Sequence, residues 1–229
     1  MNLRVGRSGY FGDVARQAER FDLLEVRAEP GTLPRPSRLR DLRQNAPERC
    51  VFSVALSRKA ASLAPGAEAQ RAVEEAVKVA QGLQAAWLLL STPASFAPSA
   101  RARRRLGEFV APLVQGPWRV GWEPAGVWEE QDAVRLASEL GLSLVRDVGR
   151  NDPPPGDVVY ARVRALGTGG RLGEAEAERV ALRLAGRADA YVVLPAAGAA
   201  GGARLLKQTV ERIEAEAQEQ CEAGDELEA

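Results

Sequence analysis

Three carboxylates and four arginines stand at or just past the ends of short apolar runs. Arg7 follows Leu3 to Gly6, Glu25 and Arg27 lie in Leu23 to Glu29, Glu123 follows Trp118 to Trp122, and Asp147 follows Leu142 to Arg146. Arg162 and Arg164 close the run from Val158 to Arg164. Gathered at one place, arginines can grip a phosphate or carboxylate with paired N–H donors, while a desolvated carboxylate can move a proton. Glu123, set between Trp122 and Pro124, is the acid-base candidate, and Arg7, Glu25, Arg27, Asp147, Arg162 and Arg164 are the candidate ligand-binding groups for a small anionic ligand. The competing arrangement is a buried network in which these charges neutralise one another and have no catalytic task, and it applies first to Glu25, Arg27 and Arg162.

What the composition lacks narrows the chemistry further. The chain has no histidine, which removes the commonest general base, the usual zinc ligand and every Ser-His or Cys-His nucleophile pair. A metal would have to rest on Glu25, Glu29, Glu123 and Asp147, a set suited to magnesium or manganese; no metal and no cofactor is expected. Cys50 and Cys221 are the only cysteines and indicate no disulfide framework, so a reducing, cytoplasmic setting is expected. No apolar run reaches the roughly 18 to 20 residues that span a bilayer, and because the first residues enter a strand-like run almost at once, no signal peptide is expected. Nothing in the sequence sets an oligomeric state.

The elements that must position these groups follow from periodicity. Eight short runs, apolar on both faces, alternate with amphipathic stretches: Leu3 to Gly6, Leu23 to Glu29, Val51 to Leu56, Ala86 to Ser91, Trp118 to Trp122, Leu142 to Arg146, Val158 to Arg164 and Ala190 to Leu194. Between them lie helical patterns over about 12–20, 35–45, 67–83, 99–114, 129–140 and 173–186, and a last one begins at Gly202. Ala69, Ala72, Val73, Ala76, Val77, Ala80 and Leu83 recur at three-and-four spacing, which makes one buried stripe. Strands apolar on both faces, each followed by a helix, belong to a parallel sheet covered by helices, and eight such units favour closure into a single TIM-like (β/α) barrel. The crossover after strand six is the exception: consecutive Pro153, Pro154 and Pro155 remove donors and force extended backbone, so a loop is expected there. Residues 1–210 are read as the barrel domain and 211–229 as an acidic, helical or frayed tail.

Two further features could bind anions. Gly167-Thr168-Gly169-Gly170 and Gly198 to Gly202 precede helices after the last two strands, where barrels often cradle phosphate on backbone amides, so Gly169, Gly170, Gly201 and Gly202 are phosphate-loop candidates. Such glycines also serve as simple turns. The overall charge is zero, but residues 211–229 hold eight acids against Arg212 alone, leaving the body about seven charges positive. The run Arg101-Ala102-Arg103-Arg104-Arg105 opens a helix at its positive end, the wrong end for cations. A catalytically inactive barrel that binds nucleic acid or protein through this arginine face and the acidic tail is therefore the alternative function.

The order of motifs resembles the YecE-like proteins, the TIM-barrel family known as domain of unknown function 72, from about residue 4 to residue 195. Val5-Gly6-Arg7-Ser8-Gly9-Tyr10 is similar to the family's Val-Gly-x-Ser-Gly and aromatic, and Phe21-Asp22-Leu23-Leu24-Glu25-Val26 to the segment ending in Val-Glu-Val-Asn. Phe52-Ser53-Val54-Ala55 is similar to Phe-x-Val-Lys, and Leu88 to Phe96 resembles Leu-Phe-Gln-Leu-Pro-Pro-Ser-Phe. Val120-Gly121-Trp122-Glu123-Pro124 stands where the family has Val-Glu-Phe-Arg-His-Pro, and Val159 to Arg164 resembles Tyr-Val-Arg-Leu-His-Gly. Asp147 falls near the family's strand-six aspartate. The departures are Arg27 for asparagine, Ala55 for lysine, Pro124-Ala125 for an Arg-His pair and Arg164 for histidine. The resemblance implies a barrel with a pocket at its mouth and implies no reaction.

Overall fold

The computed structural model describes residues 1–9, 14–164, 170–195 and 198–228. In chain order the elements are β1 (Asn2–Gly9), α1 (Val14–Ala18), β2 (Leu23–Ala28), α2 (Pro36–Gln44), β3 (Val51–Leu56), α3 (Arg58–Ala61), α4 (Ala67–Leu83), β4 (Trp87–Thr92) and α5 (Ala100–Val110). There follow β5 (Arg119–Pro124), α6 (Glu130–Glu139), β6 (Ser143–Leu144), β7 (Arg146–Asp147), β8 (Val158–Arg162), α7 (Glu174–Leu184), β9 (Asp189–Leu194) and α8 (Ala199–Glu228). Every strand pairing is parallel, in the order β6-β5-β4-β3-β2-β1-β9-β8-β7.

The two ends of this sheet are pieces of one strand. Only Val145 separates β6, which pairs with β5, from β7, which pairs with β8. Val145 itself donates to the Trp122 carbonyl at 2.8 Å, so the sixth staple of the barrel switches partner halfway up and brings the sheet almost to closure. The expected loop follows it: no helix lies between Asp147 and Val158, and Pro153 is buried there. The short helix α3 was not expected from the sequence; Ser57 caps it by accepting from the Ala60 amide at 3.3 Å. Ser99 caps α5 in the same way at 3.1 Å. The last helix starts at Ala199, three residues before its expected start.

Strand alternation sorts the core into two parts. Val5, Leu24, Val26, Phe52, Val54, Leu88, Leu90 and Trp122 face outward and form one large cluster with the helices. Leu23, Ala55, Trp87, Leu89, Val145, Tyr160 and Val193 fill the barrel itself. Trp87 lies 5.1 Å from Tyr160 and 5.3 Å from Tyr191 between ring centroids, and Arg4 pairs with Asp189 at 3.1 Å near the strand starts. The interior is therefore plugged between the Arg4–Asp189 pair at the strand starts and the end at which the strands finish, where further polar groups gather. Gly121 keeps this filling dense, because a Cβ there would come within 2.7 Å of Leu89 and 3.0 Å of Val145. Among the described residues no helix is long and apolar enough to cross a membrane.

Candidate functional site

Alternation sends Ser8, Glu25, Ser53, Ser91, Glu123 and Arg162 into the barrel near the strand ends, and register sets them side by side: Ser8 is level with Glu25, Glu25 with Ser53, and Ser91 with Glu123. At the centre, Arg162 grips Glu25 with two nitrogens, Nη1 to Oε1 at 2.9 Å and Nη2 to Oε2 at 2.8 Å. Glu25 is 1% exposed and Arg162 6%. Tyr160 donates to Glu25 at 3.0 Å, and because the phenol proton goes there, Ser53 is the donor in its 2.8 Å contact with Tyr160. Toward solvent, Arg162 Nε donates to Glu123 at 3.0 Å, Ser91 donates to the same carboxylate at 2.7 Å, and Arg164 donates to its other oxygen. Asp147 accepts from the backbone amides of Gly149 at 3.0 Å and Arg164 at 3.1 Å, which fixes the exit of β8 over the mouth.

The charges in this chain of contacts set one another. Burial pushes the Glu25 carboxyl up, but the Arg162 charge and hydrogen bonds from Arg162, Ser8 and Tyr160 outweigh it and hold Glu25 below the usual carboxylate range. Burial and the neighbouring Glu25 charge drive the Tyr160 phenol well above its ordinary value. Burial works against the Arg162 guanidinium, yet Glu25 and Glu123 raise its pKa above the ordinary arginine value. A depressed carboxyl contributes stability that is fully present above the unfolded-state pKa, about 4.3, and is lost as pH falls through the folded-state value; a raised phenol contributes stability below about 10 that is lost as pH rises. Chemical denaturation across acid pH will accordingly find stability falling below about pH 4, with a shallower fall in Glu25→Gln; an unchanged slope would mean that Glu25 is not ionised in the fold.

The wall behind Glu123 is rigid. Trp122 faces the helix layer and donates to Thr92 Oγ1 at 3.1 Å, packs edge-on against Trp128 at 5.1 Å, and Trp128 donates to the Phe96 carbonyl at 2.8 Å. These contacts tie the loops after β4 and β5 to each other, so Ser91 and Glu123 keep a fixed separation. In front of the wall lies a cavity of about 280 Å³ whose polar lining includes Ser91, Glu123, Arg146, Asp147, Asn151 and Arg164. Arg146 stands out in it: its Nε and Nη2 are buried without a hydrogen-bond partner, and Nη2 comes only to 3.6 Å from Glu130.

The structure thus brings together Glu25, Glu123, Asp147, Arg162 and Arg164. Arg27 lies at the end of β2 with Glu29 at 3.8 Å and is half exposed. Arg7 shares the outward parity of Val5, and its guanidinium lies over Gly9 toward Gln17. Gly169 lies outside the described residues. Gly170 takes a left-handed turn ahead of α7, while Gly201 and Gly202 fall inside the first turn of α8. Gly202 is a packing glycine, since a Cβ there would sit 3.2 Å from Leu194 and 3.3 Å from Leu172. Sequence reasoning missed Ser8, Ser53, Tyr160 and Arg146. Two-residue alternation from Arg162 identifies Tyr160, whereas Ser8 and Ser53 lie on neighbouring strands and follow only from their register with Glu25; neither finds Arg146, whose parity is outward. Among the described residues no three acidic or cysteine side chains converge as a metal site.

Two arginines of the run at the start of α5 have partners within the fold. Arg103 binds Asp132 at 2.9 Å and lies over the Trp128 ring, and Arg104 pairs with Glu108 at 3.9 Å. The acidic tail leaves from the opposite end of the barrel, where the Met1 amino group, at the start of β1, meets Glu214 at 2.5 Å.

No family model matches the chain, and no curated protein sequence does. Solved structures do. A DUF72 family protein of Enterococcus faecalis V583 superposes with a TM-score of 0.71 at 12% identity, covering 91% of this chain and 95% of its own. A DUF72 family protein of Thermotoga maritima MSB8 gives 0.62 at 14% identity, over 92% of this chain and 100% of its own. An L-ribulose 3-epimerase gives 0.62 at 13% identity, over 95% and 97%. At these identities the likeness establishes the fold: the chain is a TIM-like barrel built as the DUF72 family proteins are built.

Proposed function

We propose that the mouth of this barrel binds a small compound through a phosphate or carboxylate group, held between Arg146 and Arg164. The observation that carries this reading is Arg146, which lines the same cavity as Arg164 and whose Nε and Nη2 are buried without a hydrogen-bond acceptor, the Glu130 carboxylate coming only to 3.6 Å. A buried donor without a partner costs about 1–3 kcal/mol, more when charged, and an anion in the cavity would remove that cost. Arg162 is a positioning residue in this reading. All three of its nitrogens are engaged by Glu25 and Glu123, so it fixes Glu123 without facing the ligand. Glu123 forms the opposite wall with its side chain 17% exposed, where it can accept a hydrogen bond or a proton from the non-anionic part of the compound.

The test is a thermal-shift and calorimetric screen against inorganic phosphate, phosphosugars, nucleotides and small organic acids. Arg146→Ala is expected to weaken binding of the best anion tenfold or more, the equivalent of about 1.5–3 kcal/mol for a hydrogen bond to a charged group. Glu123→Gln works in the other direction: it releases Arg164 from its carboxylate and should leave anion affinity equal or higher. An anion that binds Arg146→Ala as well as it binds the unaltered chain would overturn the reading.

A further inference from the structure

A second cavity lies far from the mouth. It is a groove of about 670 Å³ between the C-terminal halves of α2 and α4, on the face where the strands begin, and its lining includes Arg40, Arg43, Lys78, Gln44, Gln81 and the single acid Glu48. The two helices touch closely just there, because a Cβ on Gly82 would lie 2.9 Å from that of Leu39. Arg43 is used by the fold: it donates to the Cys50 carbonyl at 2.7 Å and lies over the Phe52 ring. Arg40 and Lys78 are exposed and have no ion-pair partner among the described residues. Cations are favourable in the last turn of a helix, but these two stand before the last turns of α2 and α4. The groove thus offers two uncommitted positive charges flanked by glutamine amides.

The same face carries the complementary group. Helix α8 is packed down to Val210 and Ile213 and passes Met1 at Glu214, is exposed over residues 215–220, and continues as helix to Glu228. Those last fifteen residues extend about 22 Å at 1.5 Å per residue, and the sequence from 214 to 228 contains seven acids and no base. The chain's own groove is out of line for this extension, because α8 packs on α7 and β1 while the groove lies between α2 and α4. We infer that the acidic extension of α8 docks in the α2–α4 groove of a second copy of this chain. A two-fold pair of barrels, apposed by the faces where their strands begin, satisfies both extensions at once and closes the assembly.

Sedimentation velocity on the full chain tests this. A dimer is expected at low ionic strength that weakens as salt screens the exposed charges. Arg40→Glu with Lys78→Glu should weaken dimerisation at least tenfold, and so should Glu219→Lys with Glu222→Lys. A chain carrying all four substitutions should dimerise again, because the charges are exchanged across the contact. A native-sequence chain that stays monomeric at low salt, or a dimer indifferent to the Arg40 and Lys78 substitutions, would overturn the inference. Binding of a mixed-sequence DNA duplex that is lost in Arg40→Glu with Lys78→Glu, with no dimer formed, would overturn it in favour of a nucleic-acid surface.

Discussion

Arg162→Met will destabilise the folded chain by about 3–5 kcal/mol, read as a lowered midpoint in urea with an unchanged slope. The reason is what it leaves behind. Glu25 sits 1% exposed between Ser8, Tyr160 and Arg162, and without the guanidinium its ionised form has no paired cation among the described residues. It would either keep an uncompensated buried charge or take up a proton, and both cost folding free energy. Because the penalty lies in the orphaned partner, Glu25→Leu combined with Arg162→Met should recover most of the loss; buried ion pairs replaced by apolar side chains of similar size are often neutral or better. Glu123 keeps Ser91 and Arg164 in that double variant, so the mouth retains its wall. A single Arg162→Met variant with the native midpoint would mean that Glu25 reaches water by some other route.

Gly6→Ala is expected to cost about 3 kcal/mol, the upper end of what overpacking does in a close-packed interior. A methyl at this position would lie 1.8 Å from the Leu23 carbonyl oxygen and 2.6 Å from the Leu23 Cβ. The obstructing atoms belong mainly to the backbone of the paired strand, so no rotamer change relieves them. β1 and β2 would have to part at the level just below Ser8 and Glu25, and loss of the Ser8 contact should accompany the loss of stability. Gly121→Ala is a milder case, since the atoms in its way are side-chain methyls of Leu89 and Val145 that can turn aside. Equal stabilities for the two variants would contradict the close approach of β1 and β2.

The barrel was legible because its strands are apolar on both faces and its helices on one. Val51 to Leu56 and the three-and-four stripe of Ala69 to Leu83 cannot easily be anything else, and the triple proline excludes a helix at 153–155. Helix α3 escaped because four residues are too few to display a period. The split of strand six at Val145 escaped because partner exchange leaves no mark on the strand's own composition. At the site, the sequence located Glu25, Glu123, Asp147, Arg162 and Arg164 from their places at strand ends. It could not apportion them, since whether Arg162 faces a ligand or is consumed by Glu25 depends on a partner 137 residues away. Arg7 illustrates the opposite limit: strand-end position alone suggests the mouth, whereas alternation from buried Val5 turns it toward the helices. Arg146 reaches the cavity despite an outward parity, and that depends on the local course of the split strand, which only coordinates reveal.

What occupies the cavity beside Arg146 decides the proposed function most directly. Crystals soaked in inorganic phosphate, and separately in a small dicarboxylate, should show an anion accepting from the Arg146 guanidinium and from Arg164, with Arg162 still clamped to Glu25 and Glu123. An empty mouth at saturating anion, with the Arg146 guanidinium bonded to a protein carboxylate instead, would contradict it.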